Sequence, residues 1–181
     1  MSATDDNRLI EATLRGDADA FGVLVERYQR PLYSAALRIT GNRDDALEAT
    51  QSAFLNVFDK LRTFDPSHRF FSWIFRAVVN EALDAAHRRR RYVEDDGPGE
   101  ARLADGDPES ELSSSEESAR VRRALSGLAV DHRVVLVLRH FHDLSYAEMA
   151  EMIGIPEKTV KSRLFTARRE LRELLTGDGH R

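Results

Sequence analysis

The run from Asp143 to Leu175, DLSYAEMAEMIGIPEKTVKSRLFTARRELRELL, leaves little freedom in how it folds. Ser145 and Glu148 have the S-x-x-E spacing of a capping box, which starts a helix at about Tyr146. Ala147, Ala150 and Ile153 follow at three-residue steps and give that short helix an inward face. Gly154 supplies the positive φ of a helix C-cap, Ile155 plugs the corner, and Pro156 stands where a new helix starts. From Glu157 the apolar residues fall at Val160, Leu164, Ala167, Leu171 and Leu174, a stripe of period near 3.6. Lys158, Lys161, Ser162, Arg163, Phe165, Arg168 and Arg169 lie off the stripe and face outward. A short helix, a tight Gly-Ile-Pro turn and a second helix loaded with cations make a helix-turn-helix. Lys161 and Ser162 suit base-edge hydrogen bonds, and Phe165 suits a thymine methyl. Arg163, Arg168 and Arg169 suit phosphates, which position a protein without specifying sequence.

Net charge alone argues against nucleic-acid binding, because the 181-residue chain carries −4. Its distribution reverses that reading. Residues 1–93 hold 14 basic and 13 acidic side chains, residues 94–119 hold one basic and ten acidic, and residues 120–181 hold 12 basic and eight acidic. The net negative charge is therefore concentrated in 94–119, which is also the only Gly/Pro/Ser-rich stretch. Too poor in apolar residues to bury a core, it reads as a flexible acidic linker. Two small helical domains flank it, 1–93 and 120–181, the latter ending in a short tail. The chain contains no cysteine, which excludes disulfides, thiolate metal sites and a cysteine nucleophile. With no signal-type or membrane-span run, the expected location is the cytoplasm.

Helical periodicity also governs residues 1–93, so the expected fold class is all-α. Asp5 or Asp6 caps a helix through Leu14, and Asp17 or Asp19 starts a longer one that Pro31 should bend. Thr40-Gly41-Asn42 is a stop and restart, followed by helices over about Asp44–Leu61 and Phe70–Arg91. Asp44, Asp45 and Glu48 share one face near a helix start, as dipole-complementing charges or as an acidic docking patch. Phe54, Phe58, Trp73 and Phe75 read mainly as core. The polar loop TFDPSHRFF leading into Trp73, Phe75, Arg76 and Asn80 nevertheless has the ingredients for capturing unstacked bases, each stack contributing about 1–3 kcal/mol. Four consecutive arginines, Arg88 to Arg91, exceed what a helix dipole requires and suit phosphate contact.

Taken together these features resemble the extracytoplasmic-function (ECF) group of bacterial sigma factors, over nearly the whole chain. The resemblance implies a −35-reading set at Lys158, Thr159, Lys161, Ser162, Arg163, Phe165, Arg168 and Arg169. It implies a −10 set at Phe64, Ser67, His68, Arg69, Trp73, Arg76, Asn80 and Arg88, with the Phe64–Arg69 loop pocketing a flipped base. Asp44, Asp45, Glu48 and Gln51 fall where the group meets RNA polymerase core, on the clamp coiled coil of the largest subunit; the flap, promoter DNA and an anti-sigma protein are the other implied partners. No catalysis, metal or cofactor is implied. The group's usual Asp-Ala-Glu-Asp-Leu-Val-Gln-Glu is here Asp45-Ala46-Leu47-Glu48-Ala49-Thr50-Gln51-Ser52, so two acidic positions are lost, at Leu47 and Ser52. Asp44 compensates in part, and phosphorylation of Thr50 or Ser52 is one route to restoring the charge. A stand-alone helix-turn-helix regulator is the alternative reading, against which the arginine run and the aromatic loop argue. An enzyme has little support: His140 and His142 fall on different faces of a helix, and no nucleophile–base set stands out.

Overall fold

The computed structural model describes residues 3–96 and 116–177. Among them every regular element is helical: α1 (Ala3–Leu14), α2 (Ala18–Thr40), α3 (Arg43–Asp59), a 3-10 turn (Leu61–Thr63), α4 (Phe70–Asp96), α5 (Glu116–Ser126), α6 (Val130–Phe141), α7 (Tyr146–Ile153) and α8 (Glu157–Thr176). α4 runs past the boundary expected at residue 93, and α5 opens inside the stretch read as linker. The rest of that stretch, 97–115, lies outside the described residues.

Capping chemistry sets the breaks. The Asp17 carboxylate accepts from the amides of Asp19 and Ala20 at 3.1 and 3.2 Å and starts α2. Gly41, at φ 69°, ends α2, and the Asn42 side chain accepts from the Asp45 amide at 3.0 Å to begin α3. The third helix ends at Asp59 rather than Leu61, because the chain tightens there into the 3-10 turn. α2 continues through Pro31 as one helix. Asp6 is a buried partner rather than a cap: its carboxylate accepts from the Arg27 guanidinium and, at 2.6 Å, from the Tyr28 hydroxyl. Burial, reinforced by Asp6, pushes the Tyr28 phenol up to about 12.

Leu24, Leu32, Ile39, Phe70, Ile74 and Val78 fill the centre of α1–α4. In the C-terminal group α6 is the central helix, buried from Val134 through Leu138, and α8 lays Val160, Leu164 and Ala167 against it. Leu171 is only partly buried and Leu174 is 43% exposed, so the stripe on α8 fades toward its end. The inward face of α7 differs from the one expected. Met149 is fully buried and Tyr146, Ala150 and Ile153 partly so, while Ala147 is exposed. The i, i+3, i+4, i+7 set wins over a strict three-residue step because the helix turns every 3.6 residues.

The two helical groups touch each other, α2 against α5 and α6, and α4 against α6 and α7. His142 lies in this contact, its ring 4.4 Å from that of Phe75. Burial, assisted by the Arg38 charge, holds the imidazole below its ordinary 6.5.

Two outcomes follow from these environments. Asp6→Ala should cost about 2 kcal/mol in urea unfolding, since it leaves the Tyr28 hydroxyl without its partner in a half-buried site and Arg27 with Asp5 alone. Neutral His142 stabilises the fold fully above its ordinary 6.5 and less as pH falls through its lowered folded value. Wild type should therefore lose more unfolding free energy than His142→Leu when pH is lowered from neutrality to about 5.

Candidate nucleic-acid interface

The helix-turn-helix forms as its caps dictate. The Ser145 hydroxyl accepts from the Glu148 amide at 3.3 Å, and the Glu148 carboxylate accepts from the Ser145 amide at 2.8 Å, a closed capping box. These bonds hold the Glu148 carboxyl below its ordinary range. Gly154 is left-handed at φ 67°, and the Ile155 amide donates to the Ala150 carbonyl at 3.1 Å. The chain thereby turns directly into α8, with Pro156 as its N-cap.

On α8 the outward set is as expected, with two qualifications. Lys158, Lys161, Ser162, Phe165, Arg168 and Arg169 are exposed; Phe165 is 73% exposed, an apolar ring held in solvent. Lys161 is 2.6 Å from Glu157 and lies over the Tyr146 ring at 5.5 Å, and the neighbouring Glu157 carboxylate raises its pKa. Thr159 and Arg163 are half-buried, and Arg163 donates to Asp131 of α6 at 3.0 Å. Arg163 braces α8 on α6 and reaches a phosphate only by leaving that pair.

The loop before α4 is pre-shaped. The Asp65 carboxylate accepts from the Ser67 amide at 2.9 Å, and the His68 imidazole stands 3.5 Å from it; these contacts, the Ser67 amide first, hold the Asp65 carboxyl below its ordinary range. The Pro66 carbonyl accepts from Asn7 of α1 at 3.3 Å. Ser67, His68 and Arg69 stay exposed. Phe64, included above in the base-capturing loop, is instead 9% exposed. Its ring packs on Phe70 at 5.7 Å and on Trp73 at 5.2 Å, so it supports the loop from below. Trp73 is half-buried, whereas Arg76 and Asn80 are exposed on α4.

The arginine run has a structural use that the sequence did not reveal. Arg88 lies 3.5 Å from Glu48 and Arg89 lies 3.3 Å from Asp45, so α4 is tied to α3 through two residues of the acidic set. Asp44 and Gln51 remain exposed. Thr50 is buried, and its hydroxyl donates to the Ala46 carbonyl at 2.7 Å. A kinase reaches it only if α3 opens locally, while Ser52 is half-buried.

Beside this acidic face runs an apolar groove between α2 and α3. It has a volume of about 750 Å³ and is lined by Phe21, Val25, Tyr33, Leu47, Phe54, Leu55 and Phe58, with Gln51 at its edge. Leu47, Leu55 and Phe58 are 51%, 67% and 44% exposed. Phe58, expected as core, lies in this groove with its ring 4.9 Å from Phe21. The spacing 47, 51, 55, 58 is itself a second helical stripe on α3, the one signal by which the groove was findable in the sequence.

Two sigma-70 models match these halves: region 2 over residues 24–92 and region 4 over residues 118–171. A chain joining the two is a sigma-70-type transcription initiation factor. It is 33% identical to the ECF RNA polymerase sigma-E factor of Haemophilus influenzae, over 90% of this chain and 91% of that one. The solved structure of CnrH in complex with the cytosolic domain of CnrY is similar at a TM-score of 0.65 and 29% identity, covering 96% of this chain and 99% of that one. RpoE from Bartonella quintana, solved with the anti-sigma factor NepR, is similar at a TM-score of 0.71 and 25% identity, covering 86% of this chain and 96% of that one. The chain belongs to the ECF group of RNA polymerase sigma factors. As such it directs polymerase core to −35 and −10 promoter elements and initiates transcription there. The stand-alone regulator is thereby excluded. No helix among the described residues is long and apolar enough to cross a membrane.

Because the Phe165 ring stands almost free of the fold, Phe165→Ala should leave unfolding free energy within about 0.5 kcal/mol of wild type in urea titration.

Proposed function

We propose a division of labour along the chain. The region 4 half, 120–181, reads the −35 duplex with α8, whose Lys161, Ser162 and Phe165 meet base edges while Lys158, Thr159, Arg168 and Arg169 meet phosphates; Arg163 joins them on leaving Asp131. The region 2 half, 1–93, melts the −10 element. There Ser67, His68 and Arg69 form the lip of a base pocket whose floor is Phe64 and Trp73, and Arg76, Asn80 and Arg88 follow the single strand along α4. The stretch 94–119 joins the halves. Polymerase core docks on α3, where the clamp coiled coil of the largest subunit meets Asp44, Asp45, Glu48 and Gln51, and the flap contacts the region 4 half.

The observation that carries this reading is the pairing, in one chain, of an exposed Lys161-Ser162-Phe165 face on a capped helix-turn-helix with a braced loop ending in exposed Arg69. The first suits a duplex and the second suits unstacked bases. The loss of acid at Leu47 is met by the apolar groove it borders, so docking relies more on apolar contact here than on ion pairs. An anti-sigma protein is a further partner, by analogy with the Bartonella complex. The protein is no catalyst itself and works in the cytoplasm with the polymerase.

Reconstitution with core RNA polymerase and a promoter library tests the reading, which requires co-elution and run-off transcription from a defined −35/−10 pair. In that system Lys161→Ala and Phe165→Ala should each weaken −35 recognition by about 1–3 kcal/mol in competition assays. Arg168→Ala should weaken all sequences alike and lower the salt slope by about one. A uniform loss in the Lys161 variant would reassign that residue to the backbone.

A further inference from the structure

Three acids stand on α8. Glu170 meets His132 of α6 at 2.7 Å, and Glu173 lies 3.9 Å from Arg169 near the end of the helix. Glu157 is different. It opens the helix, is exposed, and belongs to the row Glu157, Lys161 and Phe165, which follow at four-residue steps and so share one side of α8. On the proposed reading Lys161 and Phe165 of that row meet base edges. A carboxylate among them is repelled by DNA phosphates and costs affinity unless the DNA also offers it a donor. The helix dipole accounts for an acid in the first turn. It does not account for the placement of this one.

The Glu157 carboxylate stands 2.6 Å from the Lys161 ammonium, and both side chains are about half exposed. Lys161 is steadied by a second contact. Its ammonium lies over the ring of Tyr146, the first residue of α7, at 5.5 Å. Arg139 lies over the same ring at 5.7 Å and is itself anchored on the Leu144 carbonyl at 2.9 Å. The first turns of α8 therefore hold one acceptor and one donor side by side, at the end of the helix that enters the major groove first.

A base pair presents the same arrangement in reverse. In G·C the guanine O6 and the cytosine N4 are hydrogen-bonded to each other about 2.9 Å apart. In the major groove O6 and N7 still accept, and N4 still donates. Lys161 can then donate to guanine while Glu157 accepts from cytosine. The inverted pair sets the carboxylate against two acceptors and the ammonium against a donor. A·T keeps the order of donor and acceptor, but adenine N7 repels the carboxylate and the thymine methyl crowds the lysine. We propose that Glu157 is a specificity-determining residue of −35 recognition: with Lys161 it reads one G·C base pair, the carboxylate on cytosine and the ammonium on guanine. The adjacent ammonium also offsets the repulsion between this carboxylate and the phosphates. The proposal rests on the assignment of Lys161 to base edges.

Holoenzyme reconstituted from core polymerase and the full chain tests it, in competition over promoters carrying each of the four base pairs at every −35 position. Wild type should show one position where G·C is preferred about tenfold and the inverted pair is bound worst. Glu157→Ala should abolish most of that preference and leave the other positions as they were. Glu157→Gln keeps the length and shape of the side chain. It should move the preference on the facing strand from cytosine toward adenine, because an amide suits adenine N6 and N7. A selectivity profile unchanged in Glu157→Ala would overturn the proposal. So would a uniform gain across all sequences, the mark of a carboxylate that only repels phosphate. If Lys161→Ala abolishes a preference that Glu157→Ala retains, the role of Glu157 fails while the base-edge reading of Lys161 stands; if neither variant changes it, both fail.

Discussion

The contact between Arg133 and the end of α2 organises much of what surrounds it. Three carbonyls from two helical groups converge on one guanidinium, and no carboxylate among the described residues helps. Such a site is held by geometry rather than by charge pairing, so the α2 terminus, the α5–α6 turn and the left-handed Gly41 must all be in place for it to exist. In exchange it fixes where α6 sits on α2. That placement brings α7 to Arg76 and the start of α6 to His87, and it sets the environment of His142. The positions of α4 and α7 relative to one another therefore depend on a single buried arginine of α6.

Several charged side chains in both halves are paired within the fold. Asp131 faces both His87 on α4 and Arg163 on α8, and Asp45 and Glu48 hold Arg89 and Arg88. Cations suited to phosphates are thus paired within the fold, at exposed or half-exposed positions where each pair is weak. Pairs of this strength orient side chains without trapping them, and phosphate competes well for them. On the proposed roles, the acids of α3 and the arginines at the end of α4 are one another's partners, so contact made by one set frees the other.

How much of this was legible beforehand depends on the range of the interaction. The capping box at Ser145–Glu148, the Gly154 turn, the Asp17 cap and the Gly41-Asn42 restart are local, and each formed as its residue types require. The outward face of α8 followed from its period. The burial of Phe64 did not, because it depends on Phe70 and Trp73 meeting it across a loop whose path no spacing encodes. Leu47 registered as a missing acid; its spacing with Leu55 and Phe58 hinted at an apolar face, and Phe21, Val25 and Tyr33 of α2 opposite make that face a groove. Arg133 looked like any helical arginine, since nothing nearby in sequence marks its partner 94 residues away.

The groove has a bearing on how such a protein lives in a cell. An open apolar channel flanked by three exposed large side chains is a standing invitation to any passing amphipathic helix. Made in excess of its partners, the chain would attract chaperones, proteases and copies of itself. Its solubility and its lifetime then depend on whether the channel is covered, since only a covered one withholds that surface from water.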